Sequence, residues 1–213
     1  MSRPRVLVAD DHRIVAEGLC GLLEPTFEVV GIVENGRELL EAAGKLHPDV
    51  IVADISMPLL NGIEAVRQLK QRGERARIVL LTMHTDVTYA TRAFDAGASA
   101  FVLKHAASSE LITAIEEVLK GRTYITPMIA RELVQAYRDG APGQPDPAHR
   151  LTPRQLEVLQ LLAEGHSAKG MAAILDISPR TAEFHKYRMM EALEIRTTAE
   201  LVQYAVKHGL VSP

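Results

Sequence analysis

Short apolar, β-branched runs alternate with longer amphipathic stretches over the first 125 residues. The runs Arg5–Ala9, Phe27–Val33, Val50–Ala53, Ile78–Leu81 and Ala100–Leu103 predict strands. The stretches Arg13–Leu23, Gly36–Leu46, Gly62–Gln71, Asp86–Asp95 and Ser108–Lys120 space their apolar residues as helices do. Five strands and five helices in strict alternation predict an α/β fold: a doubly wound, five-stranded parallel sheet with helices on both faces. In such sheets function gathers at the carboxyl ends of the strands.

The pattern changes beyond residue 150. No strand signal remains, and four helices are predicted at Pro153–Ala163, Ala168–Leu175, Pro179–Leu193 and Thr198–His208. Thr152-Pro-Arg-Gln155 and Thr197-Thr-Ala-Glu200 read as capping boxes, and Ser178-Pro179 joins a cap to a first-turn proline. Ser167 reads as the N-cap of the second helix. Between the two patterns, Asp139–His149 holds three prolines and two glycines without apolar period, the composition of a linker. Thr126–Arg138 opens with Thr126 as cap and Pro127 at the first helical position, and Ile129, Leu133 and Ala136 form one stripe, so a connecting helix is expected there. The expected organisation is a domain at 1–125, a connecting helix and linker at 126–149, and an all-α domain at 150–213.

Composition narrows the class. Hydrophobic residues make up 47 % and charged residues 24 % of the 213, the balance of a globular protein. The single cysteine, Cys20, excludes a disulfide framework and a cysteine-built zinc site, and its place on the apolar face of the first helix marks it as inert core. The opening stretch MSRPRVLVADD does not read as a secretory leader, and no apolar run approaches the roughly 18 residues of a membrane span, so no membrane partner and a cytoplasmic location are expected. Net charge is −3 over residues 1–125, −1 over 126–149 and +1 over 150–213. Any contact with nucleic acid must therefore come from a local patch and not from the overall field.

The polar residues at the strand ends supply the candidate chemistry. Asp10 and Asp11 follow the first strand, Asp54 the third, Thr82 the fourth, and Lys104 the fifth. Taken singly, an aspartate after a strand is an ordinary polar terminus. Together, three carboxylates converging on one sheet edge repel, and a proton or cation must relieve them. Three hard oxygen donors suit Mg²⁺, and Lys104 adds a point charge suited to a phosphoryl group. His12, beside the acidic pair, reads as a loop or first-turn residue and not as a ligand.

The stretches Val8-Ala-Asp-Asp11, Asp54-Ile-Ser-Met-Pro58 with Asn61-Gly62, Leu80-Leu-Thr82 and Gly97–Lys104 resemble a CheY-like response-regulator receiver. The resemblance implies that Asp54 takes a phosphoryl group from the phosphohistidine of a sensor histidine kinase. It implies that Asp11, Asp54 and the backbone carbonyl of Ser56 ligate Mg²⁺, with Asp10 supporting through water. It gives Thr82 and Lys104 contact with the transferred group, and makes Phe101 the aromatic that repacks inward with Thr82. The pattern departs from the family at His105, where receivers often carry a proline after a cis bond. Such a bond before a non-proline residue costs about 3–4 kcal/mol and is not expected here.

In the tail, Leu151–Gly165 followed by Ser178-Pro-Arg-Thr-Ala-Glu-Phe-His185 resembles the LuxR-type helix-turn-helix. The whole chain is thus similar to NarL/FixJ-type two-component response regulators. A helical wheel puts Ala182, Met189 and Leu193 of the recognition helix on the core side. Glu183, Phe184 and Tyr187 are expected at base edges of double-stranded DNA, and Arg180, Lys186 and Arg188 near phosphates. Thr181 joins the candidate DNA contacts. So does Lys169 at the head of the preceding helix. Glu183 stands where many family members carry lysine, and a glutamate accepts from cytosine N4. His185 reads equally as packing or as a phosphate contact. The helix Thr198–His208 is expected to offer Leu201, Val202 and Ala205 as a seam for a homodimer formed on phosphorylation.

The function expected is phosphorylation-controlled, sequence-specific DNA binding that regulates transcription, without enzymatic turnover beyond slow autodephosphorylation. A phosphatase with an aspartyl intermediate would need a second aspartate two residues after the nucleophile, where Ser56 stands. A tail that binds protein in place of DNA is the remaining alternative, favoured only by its modest charge.

Overall fold

The computed structural model describes residues 3–138 and 151–211, in two compact units. The first alternates β1 (Arg5–Ala9), α1 (Arg13–Leu23), β2 (Glu28–Val33), α2 (Gly36–Leu46), β3 (Val50–Asp54), α3 (Gly62–Gln71), β4 (Arg77–Thr82), α4 (Val87–Ala96), β5 (Ala100–Leu103) and α5 (Ala107–Leu119). These are followed by β6 (Tyr124–Ile125) and α6 (Pro127–Arg138). All pairings are parallel, in the order β2-β1-β3-β4-β5-β6. The sheet therefore has six strands where five were expected. The sixth has two residues, paired Ala100 with Tyr124 and Phe101 with Ile125, and is too short to show any alternation in sequence.

Alternate positions along the strands cover opposite faces of the sheet. Val6, Val8, Val50, Val52, Val79, Leu81, Ala100 and Val102 pack with Leu19, Cys20 and Leu23 of α1 and Leu111, Ile115 and Val118 of α5. Their strand neighbours Leu7, Ile51, Ile78, Leu80 and Phe101 are also fully buried. A sheet covered on both faces explains why β3 and β5 read as unbroken apolar runs. The helix predicted as a connector, α6, packs against α4, and its Ile129 is buried. The side chain of Ala136, at the end of its predicted stripe, is not described, and the predicted linker Asp139–His149 lies outside the described residues. The Thr126 hydroxyl, expected as a helix cap, is engaged elsewhere: it accepts from the Leu103 N–H at 3.1 Å and donates to Glu110 Oε2 at 2.8 Å.

The second unit contains α7 (Pro153–Ala163), α8 (Ala168–Leu175), α9 (Pro179–Ala192) and α10 (Thr198–Lys207). Thr152 forms the predicted capping box, with Gln155 Oε1 accepting the Thr152 N–H at 2.7 Å. Ser167 and Ser178 cap α8 and α9 through their side chains. The second predicted box is incomplete. Thr197 accepts from the Glu200 N–H, but Glu200 Oε2 accepts from the Arg196 N–H at 2.9 Å. The backbone at Thr197 is more extended, with φ −129° against −71° at Thr152.

One expectation fails in this unit. Leu201 and Ala205 are completely buried among Leu156, Leu159, Met171, Met189 and Leu210, and Val202 is half-buried. The apolar stripe of α10 is spent on the unit's own core, so it is not a free dimer seam. Its i, i+4 spacing marks a buried helix face, and in so small a helical unit that face is needed inside.

Candidate functional site

Parallel strands bring their carboxyl ends to one edge. Asp10 directly follows β1, Asp54 ends β3, Thr82 ends β4, and Lys104 opens a short 3₁₀ turn, Lys104–Ala106, after β5. Asp10, Asp54 and Thr82 are buried. The Lys104 ammonium lies 2.8 Å from Oδ2 of Asp10 and 2.8 Å from Oδ2 of Asp54. One cation thus clamps two carboxylates from different strands. The remaining oxygen of Asp10, Oδ1, accepts the His12 backbone N–H at 2.9 Å. Asp11 keeps 29 % of its side chain exposed, with Oδ1 3.0 Å from His12 Nδ1.

Burial pushes the Asp54 carboxyl above its ordinary value, and the nearby Asp10 charge adds to this. The Lys104 charge and hydrogen bond, and the Ser56 backbone N–H, oppose the rise without cancelling it. Burial alone would lower the Lys104 ammonium, but the Asp54 charge and the hydrogen bonds to Asp10 and Asp54 outweigh it, so its value is raised. The Asp54 shift reflects burial first, and the Lys104 shift reflects two carboxylates around one ammonium. Ligand atoms of Asp10, Asp11, His12 and Asp54 lie within 4.8 Å of one another. Three carboxylates facing a single ammonium leave a net charge that a hard divalent cation balances, and its oxygen donors are already gathered.

Backbone geometry presents Asp54. Gly62 opens α3 and donates its N–H to the Ile55 carbonyl at 2.8 Å. A Cβ at Gly62 would stand 2.2 Å from the Asp54 carbonyl oxygen, so only glycine lets α3 start this close to the Asp54 backbone. Asn61 caps α3 by accepting from the Glu64 N–H. The Asn61-Gly62 pair is therefore part of the site's frame. Thr82 Oγ1 accepts from the His84 N–H at 2.9 Å. Phe101 is fully buried, paired in register with Leu80 and Ile125, and already occupies an inward position. The Lys104–His105 peptide bond is trans, as the sequence departure from proline implied.

The acidic corner brings together Asp10, Asp11, Asp54 and Lys104. It adds His12, which the sequence had read as a loop or first-turn residue. His12 holds the N-cap position of α1 without a side-chain cap bond, which leaves its ring to the carboxylates. The only signal for this in the sequence was its adjacency to Asp11.

In the second unit, α8 and α9 are joined through Asp176, in the left-handed conformation, in the arrangement of a helix-turn-helix. Ala182 and Met189 of α9 are buried, and Leu193 packs against the same core. Phe184 is 58 % and Tyr187 63 % exposed, an unusual placement for two aromatic rings. Other candidate contacts are engaged within the helix. Lys186 Nζ lies 2.5 Å from Glu183 Oε2 and 5.1 Å from the centre of the Tyr187 ring. The Arg188 guanidinium meets Glu191 at 2.6 Å. The Thr181 hydroxyl bonds Ser178 Oγ at 2.8 Å, within the cap. Arg180 and Lys169 are exposed, with no side-chain partner among the described residues. His185 is half-buried, its ring edge-on to Phe184, and burial together with the Arg154 charge lowers its pKa.

Known proteins match this chain along nearly all of its length. Residues 6–116 match the response regulator receiver domain, and residues 149–205 match the bacterial regulatory proteins of the luxR family. The transcriptional regulatory protein MctR of Rhizobium johnstonii is 37 % identical, over 98 % of this chain and 95 % of its own. A structure of the response regulator RcsB of Salmonella typhimurium superposes with a TM-score of 0.67 at 29 % identity, covering 98 % of this chain and 99 % of its own. A structure of an RcsB–DNA complex superposes with a TM-score of 0.60 at 28 % identity, covering 95 % and 98 %. Together with the acidic sheet edge and the helix-turn-helix, these matches show that the chain belongs to the NarL/FixJ-type two-component response regulators, which join a receiver domain to a LuxR-type DNA-binding domain.

Proposed function

We propose that Asp54 is the phosphoacceptor through which a sensor histidine kinase controls DNA binding by α9. The observation that carries this is the clamp at the sheet edge: a buried carboxylate held 2.8 Å from a lysine, beside two further carboxylates. An oxygen of Asp54 attacks the phosphorus of a phosphohistidine, a P–O bond forms, and the P–N bond to the imidazole breaks. The residues fit Mg²⁺: Asp11, Asp54 and the Ser56 carbonyl would hold it, with Asp10 behind. When bound it neutralises charge on the transferring group and aligns that group with the nucleophile.

The chain's own residues do the rest. Lys104 is already placed against Asp54 and reaches the phosphoryl oxygens with a small shift. Thr82 gives up the His84 N–H and turns its hydroxyl to the same oxygens. Phe101 holds the space behind it. The product adds roughly −1.5 to −2 charges to a corner already short of cations, so the rearrangement has a driving force.

The output is DNA binding by the tail as a homodimer. RcsB, a full-length structural relative, is found in a complex with DNA. Phe184 and Tyr187 face base edges and thymine methyl groups, and Arg180 and Lys169 meet phosphates. Glu183, Lys186, Thr181 and Arg188 contribute once their helix-internal bonds are exchanged for contacts to DNA. The functional domains are residues 1–125 and 150–213, joined by 126–149. The protein acts in the cytoplasm as a regulator and turns over no substrate beyond slow loss of its own phosphoryl group.

The test uses acetyl phosphate with Mg²⁺ on the full chain, followed by intact mass. One phosphate is expected on the wild type and none on Asp54→Asn. Equal labelling of the two proteins refutes the assignment.

A further inference from the structure

Thr126 is buried between β6 and α6, and four bonds converge on it. Its N–H donates to the Phe101 carbonyl at 3.0 Å, and its hydroxyl oxygen accepts the Leu103 N–H at 3.1 Å. The hydroxyl donates to Glu110 Oε2 at 2.8 Å, and its carbonyl accepts the Ala130 N–H in the first turn of α6 at 3.1 Å. Glu110, in the first turn of α5, also holds the Tyr124 hydroxyl.

The backbone pairing of β5 with β6 ends at Phe101 and Ile125. The Thr126 side chain then supplies one more rung, a hydroxyl standing in for a strand carbonyl. That rung grips the residue immediately before Lys104. Thr126 therefore brackets the stretch from Phe101 to Lys104, which holds both the buried aromatic and the lysine of the acidic corner. From the same residue the chain enters α6, the last described element before residue 151. A buried N–H cannot lose its acceptor cheaply, so the end of β5 and the start of α6 move together or not at all.

We propose that Thr126 is a positioning residue that transmits the state of Lys104 to α6, through its hydroxyl bonds to Leu103 and Glu110. This rests on the assignment of Asp54 as phosphoacceptor. When Lys104 leaves its place between Asp10 and Asp54 for a phosphoryl group, the Leu103–Lys104 peptide shifts, the Thr126 rung follows, and the first turn of α6 is re-aimed. Thr126 touches no reacting atom, so its removal affects output and leaves acceptance of the group intact.

The experiment is hydrogen exchange of the full chain with and without acetyl phosphate and Mg²⁺, with phosphate content read by intact mass. In the wild type, peptides covering 127–138 change protection on phosphorylation. Thr126→Val keeps the β-branched shape and the backbone bonds but lacks the hydroxyl. It is expected to accept one phosphate as the wild type does and to lose the change in α6. Thr126→Ser restores it, and Glu110→Ala, which leaves the rung but removes its anchor, reduces it. If Thr126→Val still shows the full change, the proposal is overturned. If Thr126→Val fails to take phosphate, the hydroxyl is structural and the proposal is equally overturned. Should Thr126→Val not fold, Glu110→Ala decides in its place, and an unreduced response there overturns the proposal. Failure of the wild type itself to take phosphate overturns the Asp54 assignment, and this inference with it.

Discussion

The carboxyl edge of the sheet and the exposed face of α9 both gather charged residues, yet they are built on opposite terms. At the sheet edge, charges are buried and locked to one another: Lys104 sits 2.8 Å from each of two carboxylates whose side chains are almost out of solvent. On α9, two aromatic rings stand more than half exposed beside ion pairs that run along a single helix. The first arrangement presents chemistry that cannot tolerate misplacement. The second keeps apolar surface and exchangeable charges ready for a partner. The Arg188–Glu191 pair is exposed at both ends, and an exposed i, i+3 pair is worth only about 0.2–0.5 kcal/mol, so breaking it to meet a phosphate costs little.

The comparison breaks first at the aromatic rings. Phe184→Ala and Tyr187→Ala are expected to leave the melting temperature nearly unchanged, because neither ring supports the core. Each is expected to weaken binding to a DNA site selected with the phosphorylated wild type by roughly 10–100-fold, the scale of about 1–3 kcal/mol for a base contact. Arg180→Gln should weaken binding to all sequences alike and reduce the salt slope by about 1. A large loss of stability in either aromatic variant would place that ring in the core and remove the contrast.

At the sheet edge the matching experiment is Gly62→Ala. A Cβ there meets the Asp54 carbonyl at 2.2 Å, so α3 or the β3 end must shift. The expected cost is about 1–3 kcal/mol in urea unfolding, together with slower phosphorylation by acetyl phosphate. A variant as stable and as reactive as the wild type would mean that the edge is pliant.

The two regions also differ in how far the sequence revealed them. The strand ends were legible because parallel β/α alternation fixes which residues meet, so the sequence alone joins Asp10, Asp54 and Lys104. Their mutual clamp was not legible, because nothing in spacing says that Lys104 bridges two aspartates. The role of Thr126 was hidden for a related reason. A threonine before a proline looks like a helix cap, and its partner Leu103 lies 23 residues away across a strand too short to recognise. On α9 the wheel separated Ala182 and Met189 from Phe184 and Tyr187 correctly, since amphipathic period is a local property. The same logic failed on α10, where periodicity located an apolar stripe but could not tell whether Leu201 and Ala205 faced inward or a second copy.

A smaller effect tests the electrostatic side of the comparison. The folded-state pKa of Asp54 is raised, chiefly by burial, above that of the unfolded chain. Its contribution to stability is therefore complete below the ordinary carboxylate range and is lost as pH rises through the raised value. With a chelator present at pH 7, Asp54→Asn is expected to melt a few degrees above the wild type, on the order of 1 kcal/mol for a unit of this size. The gain should vanish as the pH approaches about 4. An Asp54→Asn protein less stable than wild type at neutral pH would show that the Lys104 clamp, and not burial, dominates the corner.

The smallest expected effect lies in the second unit, at a titratable ring beside the exposed aromatics of α9. His185 follows Phe184 but is half-buried, and burial, then the Arg154 charge, holds its pKa below the ordinary histidine value. A depressed histidine favours the neutral ring in the folded state. Above about pH 6.5 both states are neutral and the group contributes nothing to the pH dependence. As pH falls below that value the unfolded chain takes up the proton first, and stability declines until the folded-state pKa is passed. His185→Gln cannot titrate, so between pH 7.5 and 5.5 the wild type should lose more stability than the variant. Proton titration of the His185 ring resonances in the full chain measures the same shift directly. A midpoint above about 6.5 would put the ring among exchangeable surface charges like Arg188, and would move His185 from the packed side of α9 to the side that meets DNA.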